Sequence, residues 1–309
     1  MSHSLVIDTS GLTEGTTVAN QAIKVFISKH RDMEIYAVGR GKEMLTINQV
    51  KGVHMVDADL DSALDTSKKD NSYILEKAWD VLKKVDSPIL ITSASTKAVK
   101  QGADDHFEKT GLPIFVTRFL SETAKKFTFL ADCGIQSQLD PSAYQMVLEE
   151  ARSLMRKAYG VDEVTYGLLS ATPEVDNLPD PLRDVYDSFE GDKADFKGLV
   201  TPEELFKNKA DLLLSDGLTS EMLIAGYRLS NQSFETYYEK GIARGTKAKW
   251  GARLSQDTFN WVNSYYVSDL VSNGRFLLGY DKLILKTEPA SMVGSLMEVL
   301  EEANRLLKD

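Results

Sequence analysis

The sequence predicts an α/β protein: a mostly parallel sheet with helices on both faces and a projecting helical hairpin. Two patterns carry this. Short β-type apolar runs alternate with longer stretches of helical period, the pattern of βαβ units, and strands covered on both faces read as unbroken apolar runs. One long stretch, 218–270, then interrupts the alternation with a helical, aromatic-rich pattern. Of the 309 residues, 42% belong to the AVILMFWYC class and 27% are charged, which is the balance of a globular core and not of a disordered chain. The expected organisation is one α/β domain over 1–309, with the hairpin at 218–270 inside it.

The elements follow in order. Ser4-Leu5-Val6-Ile7-Asp8 reads as the first strand and Met33 to Gly39 as the second. Between them Val18, Ala22, Val25 and Phe26 fall at i, i+4, i+7 and i+8, one helix face. Pro88 to Thr92, Pro113 to Val116 and Phe127 to Ala131 are compact apolar strands. Pro141 to Tyr159 reads as a helix, because Asp140 is a preferred N-cap and proline loses no hydrogen bond at the first helical position. Val164 to Leu169 and Asp211 to Ser215 are further strands. Pro173 to Asp195 holds eight acidic residues against Arg183 and Lys193, and is expected to be a solvated excursion with a short helix around Leu182 to Phe189. In 218–270, Gly241, Gly245 and Gly251 cluster between two helical halves, which predicts two helices joined by a glycine-rich turn. The apolar face of such a hairpin has no local partner, so a homodimer contact is expected there. Phe276-Leu277-Leu278 and Leu283-Ile284-Leu285 flank a turn at Gly279-Tyr280-Asp281, and Ser291 to Leu307 closes the chain as an amphipathic helix.

Several functions are excluded early. Lys plus Arg number 36 and Asp plus Glu 46, a net charge of −10, so general nucleic-acid binding is not expected. Cys133 is the only cysteine, which rules out a disulfide framework and reads as a packed side chain. His3, His30, His54 and His106 are far apart in sequence, and no metal site is expected. A P-loop and a GxSxG elbow are absent, and Gly39-Arg40-Gly41 lacks the third glycine of a dinucleotide fingerprint, so no cofactor is expected. The sequence contains neither an apolar run near 18 residues nor a basic-then-apolar opening, and the expected location is the cytoplasm.

In an open parallel sheet, ligands bind beyond the carboxyl ends of the strands, where helices begin. The segments that follow the predicted strands are Thr92-Ser93-Ala94-Ser95-Thr96-Lys97, Asp132-Cys133-Gly134, Ser170-Ala171-Thr172, Asp216-Gly217-Leu218-Thr219-Ser220 and Lys286-Thr287. They share small residues, hydroxyls, glycines, two aspartates and two lysines. Such turns either cap their helices or let an anion approach the backbone N–H groups at a helix start. Five of them from one sheet edge point to a shared anion site.

The order and neighbours of these segments resemble the PlsX-type phosphate acyltransferases. Val6-Ile7-Asp8 with Gly11 resembles the family's opening "VDAMGGD". Ser93-Ala94-Ser95-Thr96-Lys97-Ala98 is similar to "SAGNTGA", with Lys97 where a glycine is usual. Leu130 to Gly134 resembles "LLDAGAN", Gly167 to Ser170 resembles "GLLNIG", and Asp216 to Thr219 matches "DGFTG". Gly274 to Lys286 looks like "GGAPLLGVNGVVIKAHG", with Glu288-Pro289 in place of His-Gly. The resemblance covers nearly the whole chain. It implies the isocitrate-dehydrogenase-like fold that the family shares with phosphotransacetylases. It also implies transfer of an acyl group from an acyl carrier protein or coenzyme A thioester to inorganic phosphate, in fatty acid and phospholipid synthesis.

Phosphate is itself the nucleophile, so the site must hold it against the thioester carbonyl and stabilise the oxyanion, without a metal or covalent intermediate. The chemistry of these turns makes Ser93, Ser95, Thr96 and Lys97 the expected phosphate ligands, with Gly134, Ser170, Gly217, Thr219 and Ser220 as further expected substrate-binding positions. Lys286 is placed to neutralise the oxyanion, and Asp132 and Asp216 to orient loop N–H groups. Lys240, Arg244, Lys247, Lys249 and Arg253 make a basic patch on an acidic protein, which suits an acidic carrier protein, and nearby Trp250 suits peripheral contact with an anionic membrane. Two other readings stay open: a phosphotransacetylase-like enzyme on a short acyl-CoA, and a non-catalytic paralogue that binds acyl groups or partners.

Overall fold

The computed structural model describes residues 3–9, 16–59, 72–85, 87–120, 126–137, 140–191, 194–258, 274–287 and 293–308. The strands are β1 His3–Asp8, β2 Met33–Gly39, β3 Val53–Asp57, β4 Ile89–Thr92, β5 Lys109–Leu120, β6 Phe127–Ala131, β7 Tyr166–Leu169, β8 Phe196–Val200, β9 Leu212–Leu214, β10 Gly274–Tyr280 and β11 Leu283–Thr287. The helices are α1 Thr16–Lys29, α2 Gly41–Met44, α3 Ser72–Lys84, α4 Thr96–His106, α5 Pro141–Tyr159, α6 Asp180–Phe189, α7 Pro202–Phe206, α8 Gly217–Ala243, α9 Thr246–Leu254 and α10 Val293–Lys308. This is a mixed α/β fold with mostly parallel strands, as the alternating pattern predicts.

The chain divides into two compact units: Met1–Phe115 with Arg152–Asp162 and Asn273–Asp309, and Val116–Ala151 with Glu163–Ser272. In the first unit the strands lie in the order β3-β2-β1-β4-β11-β10, parallel except for the β10–β11 hairpin. Leu5, Val6 and Ile7 of β1 are fully buried, the expectation for a central parallel strand covered on both sides. Helix α1 packs on α10, and α3 on α4. Trp79 of α3 is fully buried against α4, where Gly102 leaves room for the indole. In the second unit the order is β5-β6-β9-β7-β8, β5 entering it with Val116–Leu120 and being antiparallel to β6, the rest parallel.

Several elements differ from the sequence reading. The buried face of α1 is Ala19, Ala22, Ile23, Phe26 and Ile27, a regular i, i+3, i+4, i+7, i+8 stripe, whereas Val25 is 43% exposed. The reading centred that stripe one position off; the Val18 side chain lies outside the described residues. Strands β3 and β8 are additions. Each ends its unit's strand order, so it has one neighbour and keeps polar residues (His54, Lys197) that blur the apolar signal. The acidic stretch 173–195 is more than a solvated loop: Leu178, Val185 and Phe189 are buried, and Phe189 meets Tyr166 edge-on at 5.2 Å. Its acids occupy the outer face of a helix that starts with Pro181 in its first turn.

The hairpin's near half is two helices, α8 and α9, turning at Arg244–Gly245; Gly241 and Gly251 sit inside the helices. Its far part, 259–270 with Phe259, Trp261, Tyr265 and Tyr266, lies outside the described residues. So do Gly11, Glu288-Pro289, Lys193 and the expected helix start at Ser291. No helix among the described residues is long and apolar enough to cross a membrane.

A Cβ built on Gly102 would lie 2.4 Å from Trp79 Nε1 and 2.6 Å from Cε2. The ring is enclosed, so α3 and α4 must separate. Gly102→Ala is expected to cost about 1–3 kcal/mol, read as a lower urea midpoint at unchanged slope; an unchanged midpoint contradicts this packing.

Candidate functional site

In the first unit β1, β4 and β11 run parallel and end at one edge. Because β10 runs antiparallel to β11, its opening residues reach the same edge. The registers align four polar residues there. Lys286 lies opposite Thr92 on one side and Arg275 on the other, and Thr92 Oγ1 donates to Asp8 Oδ2 at 2.7 Å. Directly paired residues of neighbouring strands project to the same face. A Cβ on Gly274 would come 3.3 Å from Val299 of α10. Alternation along the strand therefore turns Arg275, and the row with it, to the side away from α10. Asp8, Thr92, Lys286 and Arg275 are each more than nine-tenths buried.

From Thr92 the chain turns directly into α4. Thr92 Oγ1 accepts the Ala94 amide at 3.1 Å. Ser95 is the N-cap: its Oγ accepts the Ala98 amide at 3.2 Å and its carbonyl the Val99 amide at 2.9 Å. The amides of Thr96 and Lys97 have no hydrogen-bond partner among the described residues. The Ser93 hydroxyl is buried and has none either. The structure thus brings Ser93, Ser95, Thr96 and Lys97 into one turn, with Lys97 exposed and Lys286 on the strand next to β4. The start of α4 is an open helix N-terminus carrying partial positive charge.

In the second unit the ends of β6, β9 and β7 lie side by side, Ala131 and Leu168 both pairing with Leu214. The loops that follow interlock. The Asp132 amide donates to the Ser215 carbonyl (2.9 Å), Ser215 to Ala131 (2.7 Å) and Gly217 to Gln136 (2.7 Å). Fully buried Asp132 accepts the Ile135 amide at 3.0 Å and the Gln136 amide at 2.5 Å on Oδ2. Asp216 caps α8: Oδ1 accepts the amides of Leu218 and Thr219, and Oδ2 accepts the Thr219 hydroxyl at 2.6 Å. The Ser220 amide closes on the Asp216 carbonyl. All four opening amides of α8 are engaged, so this helix start, bearing two carboxylates, is filled where that of α4 is open.

The two glycines of this corner are fixed by packing. Gly134 has φ +102°, and a Cβ there would meet Glu221 Oε1 at 2.7 Å. A Cβ on Gly217 would sit 2.8 Å from the backbone nitrogens of Gly134 and Ile135. Ser170 uses its hydroxyl locally, accepting the Thr172 amide at 3.3 Å. The Ser220 hydroxyl is buried without a hydrogen-bond partner. Burial pushes the Tyr144 phenol above its ordinary pKa, and the neighbouring Asp216 carboxylate adds in the same direction.

The five basic residues 240–253 lie on the hairpin, away from both strand-end loops in sequence and on exposed or half-exposed helix surface. No residue of α9 is buried, and Tyr237, Trp250 and Leu254 are exposed beside the bases. Arg275 escaped the sequence reading, as did the part Asp8 plays in the row. The rule of looking after strand ends suits parallel strands; in the antiparallel β10 the residue at this same edge comes first.

No family model matches the chain. Phosphate acyltransferase of Lactobacillus delbrueckii subsp. bulgaricus is 24% identical over 181 residues, which span 58% of this chain and 54% of that protein. The chain thus spans about half the length of these Lactobacillus relatives. Phosphate acyltransferase of Mycoplasmoides gallisepticum is 24% identical over 301 residues, 92% of this chain and 88% of that one. Among solved structures, a branched-chain phosphotransacylase from Enterococcus faecalis is similar with TM-score 0.61 at 14% identity, covering 99% of each chain. A 4-hydroxythreonine-4-phosphate dehydrogenase from Klebsiella pneumoniae gives TM-score 0.56 at 8% identity, covering 100% of this chain and 98% of that one. The curated relatives bear the name of the family that the loops resemble, and the solved structures share the α/β fold.

Since backbone atoms flank Gly217, nothing there can yield. Gly217→Ala is expected to loosen the interlocked loops, costing about 1–3 kcal/mol and speeding amide exchange at 134–136. Wild-type exchange rates in those amides contradict the packing account.

Proposed function

We propose that this protein transfers an acyl group from a thioester to inorganic phosphate, giving an acyl phosphate. The alignment to proteins named phosphate acyltransferase supports the reaction class. The observation that carries the site assignment is the open start of α4 beside the buried Lys286. Unpaired amides of Thr96 and Lys97, the orphan Ser93 hydroxyl and the exposed Lys97 ammonium are the donor set a phosphate needs. Lys286, fixed on a strand, is assigned to the charge that develops on the carbonyl oxygen. A donor of this kind is worth roughly 3 kcal/mol of barrier. In the second unit Asp132 and Asp216 are assigned to holding loop amides, Thr219 to completing the cap, and Ser220 to a ligand-facing hydroxyl. Gly134 and Gly217 permit that packing, and Ser170 stabilises the neighbouring turn.

For the donor we favour an acyl carrier protein. Such carriers are acidic, and the 240–253 patch offers complementary charge on a protein of net charge −10. We assign the exposed apolar side of the hairpin to a second copy of the chain, and the pathway to fatty acid and phospholipid synthesis in the cytoplasm. A short acyl-CoA is the second reading, favoured by the phosphotransacylase neighbours.

Trapping acyl phosphate with hydroxylamine tests the reaction. Phosphate-dependent hydroxamate is expected with long-chain carrier thioesters; product only with short acyl-CoA selects the second reading, and no product with any thioester removes both. Lys97→Ala is expected to raise the phosphate KM roughly two- to fivefold, the scale of an exposed ion pair, with kcat little changed; an unaltered KM clears Lys97. Reversing the charge of Lys247 and Lys249 together should weaken carrier-protein binding at low salt in a competition against anionic vesicles. Equal affinity for the carrier before and after reversal removes the patch from that role.

A further inference from the structure

We propose that the buried pair Asp8 and Thr92 positions the phosphate-binding turn at the start of α4, Asp8 acting through the Thr92 hydroxyl; this deepens the acyl-transfer reading and rests on its phosphate site. A hydroxyl has one proton to give. Thr92 Oγ1 gives it to Asp8 Oδ2 at 2.7 Å and accepts the Ala94 amide at 3.1 Å. The three groups form one directed chain, from the Ala94 N–H through the hydroxyl to the carboxylate. Asp8 is 1% exposed and Thr92 fully buried, so bulk water does not compete for either bond. Thr92 ends β4, paired with Lys286 of β11, and only Ser93, Ala94 and Ser95 separate it from Thr96, the first residue of α4. Ala94 is held by Thr92 at the near end of this link, and Ser95 by its cap on Ala98 at the far end. Ser93 lies next to the held Ala94, and its buried hydroxyl has no hydrogen-bond partner among the described residues.

With both ends of the link pinned, the Ser93 hydroxyl and the open amides of Thr96 and Lys97 are ordered before an anion arrives, and binding is spared the cost of ordering them. A carboxylate serves this purpose better than a neutral group. A hydroxyl that donates to a charged acceptor is itself a stronger acceptor. With its proton committed to Asp8, Oγ1 turns lone pairs to the Ala94 amide; without that commitment the hydroxyl can rotate its proton toward the amide, and the turn loses its hold. In direct contact the Asp8 charge would repel phosphate. Here the Thr92 hydroxyl stands between the carboxylate and the turn. Asp8 and Thr92 are therefore positioning residues, and the contacts to phosphate remain those of the turn itself. The Asp8 carboxylate also interacts beyond Thr92, so the Thr92 side chain is where the relay is cut most cleanly.

Titration of the full chain with inorganic phosphate, followed by amide NMR and set beside steady-state turnover, tests this. Phosphate is expected to shift the Thr96 and Lys97 amides of the wild-type chain. Thr92→Val keeps the shape of the strand end and loses both hydrogen bonds; it is expected to weaken phosphate binding roughly five- to tenfold, the scale of one lost buried hydrogen bond. Thr92→Ser keeps the hydroxyl and is expected to stay within about twofold of wild type. Asp8→Asn keeps an acceptor without the charge and is expected to weaken binding about two- to threefold, with no further loss in the Thr92→Val background, because the two act in series. In turnover the phosphate KM is expected to rise in step while the thioester KM stays fixed. A purely structural role would lower the urea midpoint and leave the phosphate affinity of folded Thr92→Val at the wild-type value; that result overturns the proposal. So does a Thr92→Ser chain as weak as Thr92→Val, full additivity of Asp8→Asn with Thr92→Val, or a wild-type chain whose Thr96 and Lys97 amides ignore phosphate. If Thr92→Val does not fold, Asp8→Asn decides alone. Hydroxamate formation by the wild-type protein judges the acyl-transfer reading separately: acyl phosphate made by a chain whose Thr92→Val variant binds phosphate normally sinks this inference and leaves that reading standing.

Discussion

A charge withdrawn from water must be met by oriented dipoles or an opposite charge, and this constraint organises the first unit's working edge. Asp8, Lys286 and Arg275 come from three strands and are all buried, with Thr92 between them holding the Asp8 carboxylate. Strand register decides that they meet: a one-residue slip of β11 would send Lys286 to the opposite face. The apolar strands β1, β4 and β11 therefore do more than form a core. Their fully buried Ile7, Ile91 and Leu285 fix the register that places the polar residues one step beyond.

The starts of α4 and α8 show how similar local chemistry leads to opposite outcomes. Both α4 and α8 begin after a strand and carry a capping side chain. At α8 the carboxylate of Asp216 takes two amides and a hydroxyl, and the Gln136 carbonyl takes a third amide, leaving a closed, acidic corner. At α4 the neutral Ser95 takes one amide and leaves two open, with Lys97 beside them. An anion is drawn to the second arrangement and repelled by the first. The glycines of the acidic corner serve its packing, since the start of α8 lies directly on the Gly134–Ile135 backbone.

The hairpin obeys a different balance. Helix α8 is anchored at its root, where Ile224 is buried and Tyr227 packs tilted against Phe206 and edge-on to Phe119. Farther out, Tyr237, Trp250 and Leu254 are exposed, with Lys240, Arg244, Lys247, Lys249 and Arg253 among them. Large apolar groups thus stand in water next to a concentration of positive charge, and the proposed carrier contact rests on that pairing.

The amino-acid pattern marked β1, β2, β4, β6 and β9, because burial of most of their side chains writes itself into composition. It also determined the Asp140-capped helix, the β10–β11 turn and the glycine-bearing loops, since caps and tight approaches demand particular residues within a few positions. It lost β3 and β8, which have one neighbour each and keep polar side chains, and it misplaced the stripe of α1 by one position at Val25. It took the folded chain to set Arg275 opposite Lys286, to leave amides open in the turn after β4 and to commit the Asp216 carboxylate to its own helix. Those facts depend on which strands are neighbours and in which direction they run, and pairing between residues some 190 positions apart, such as Lys286 with Thr92, leaves no local trace in the chain.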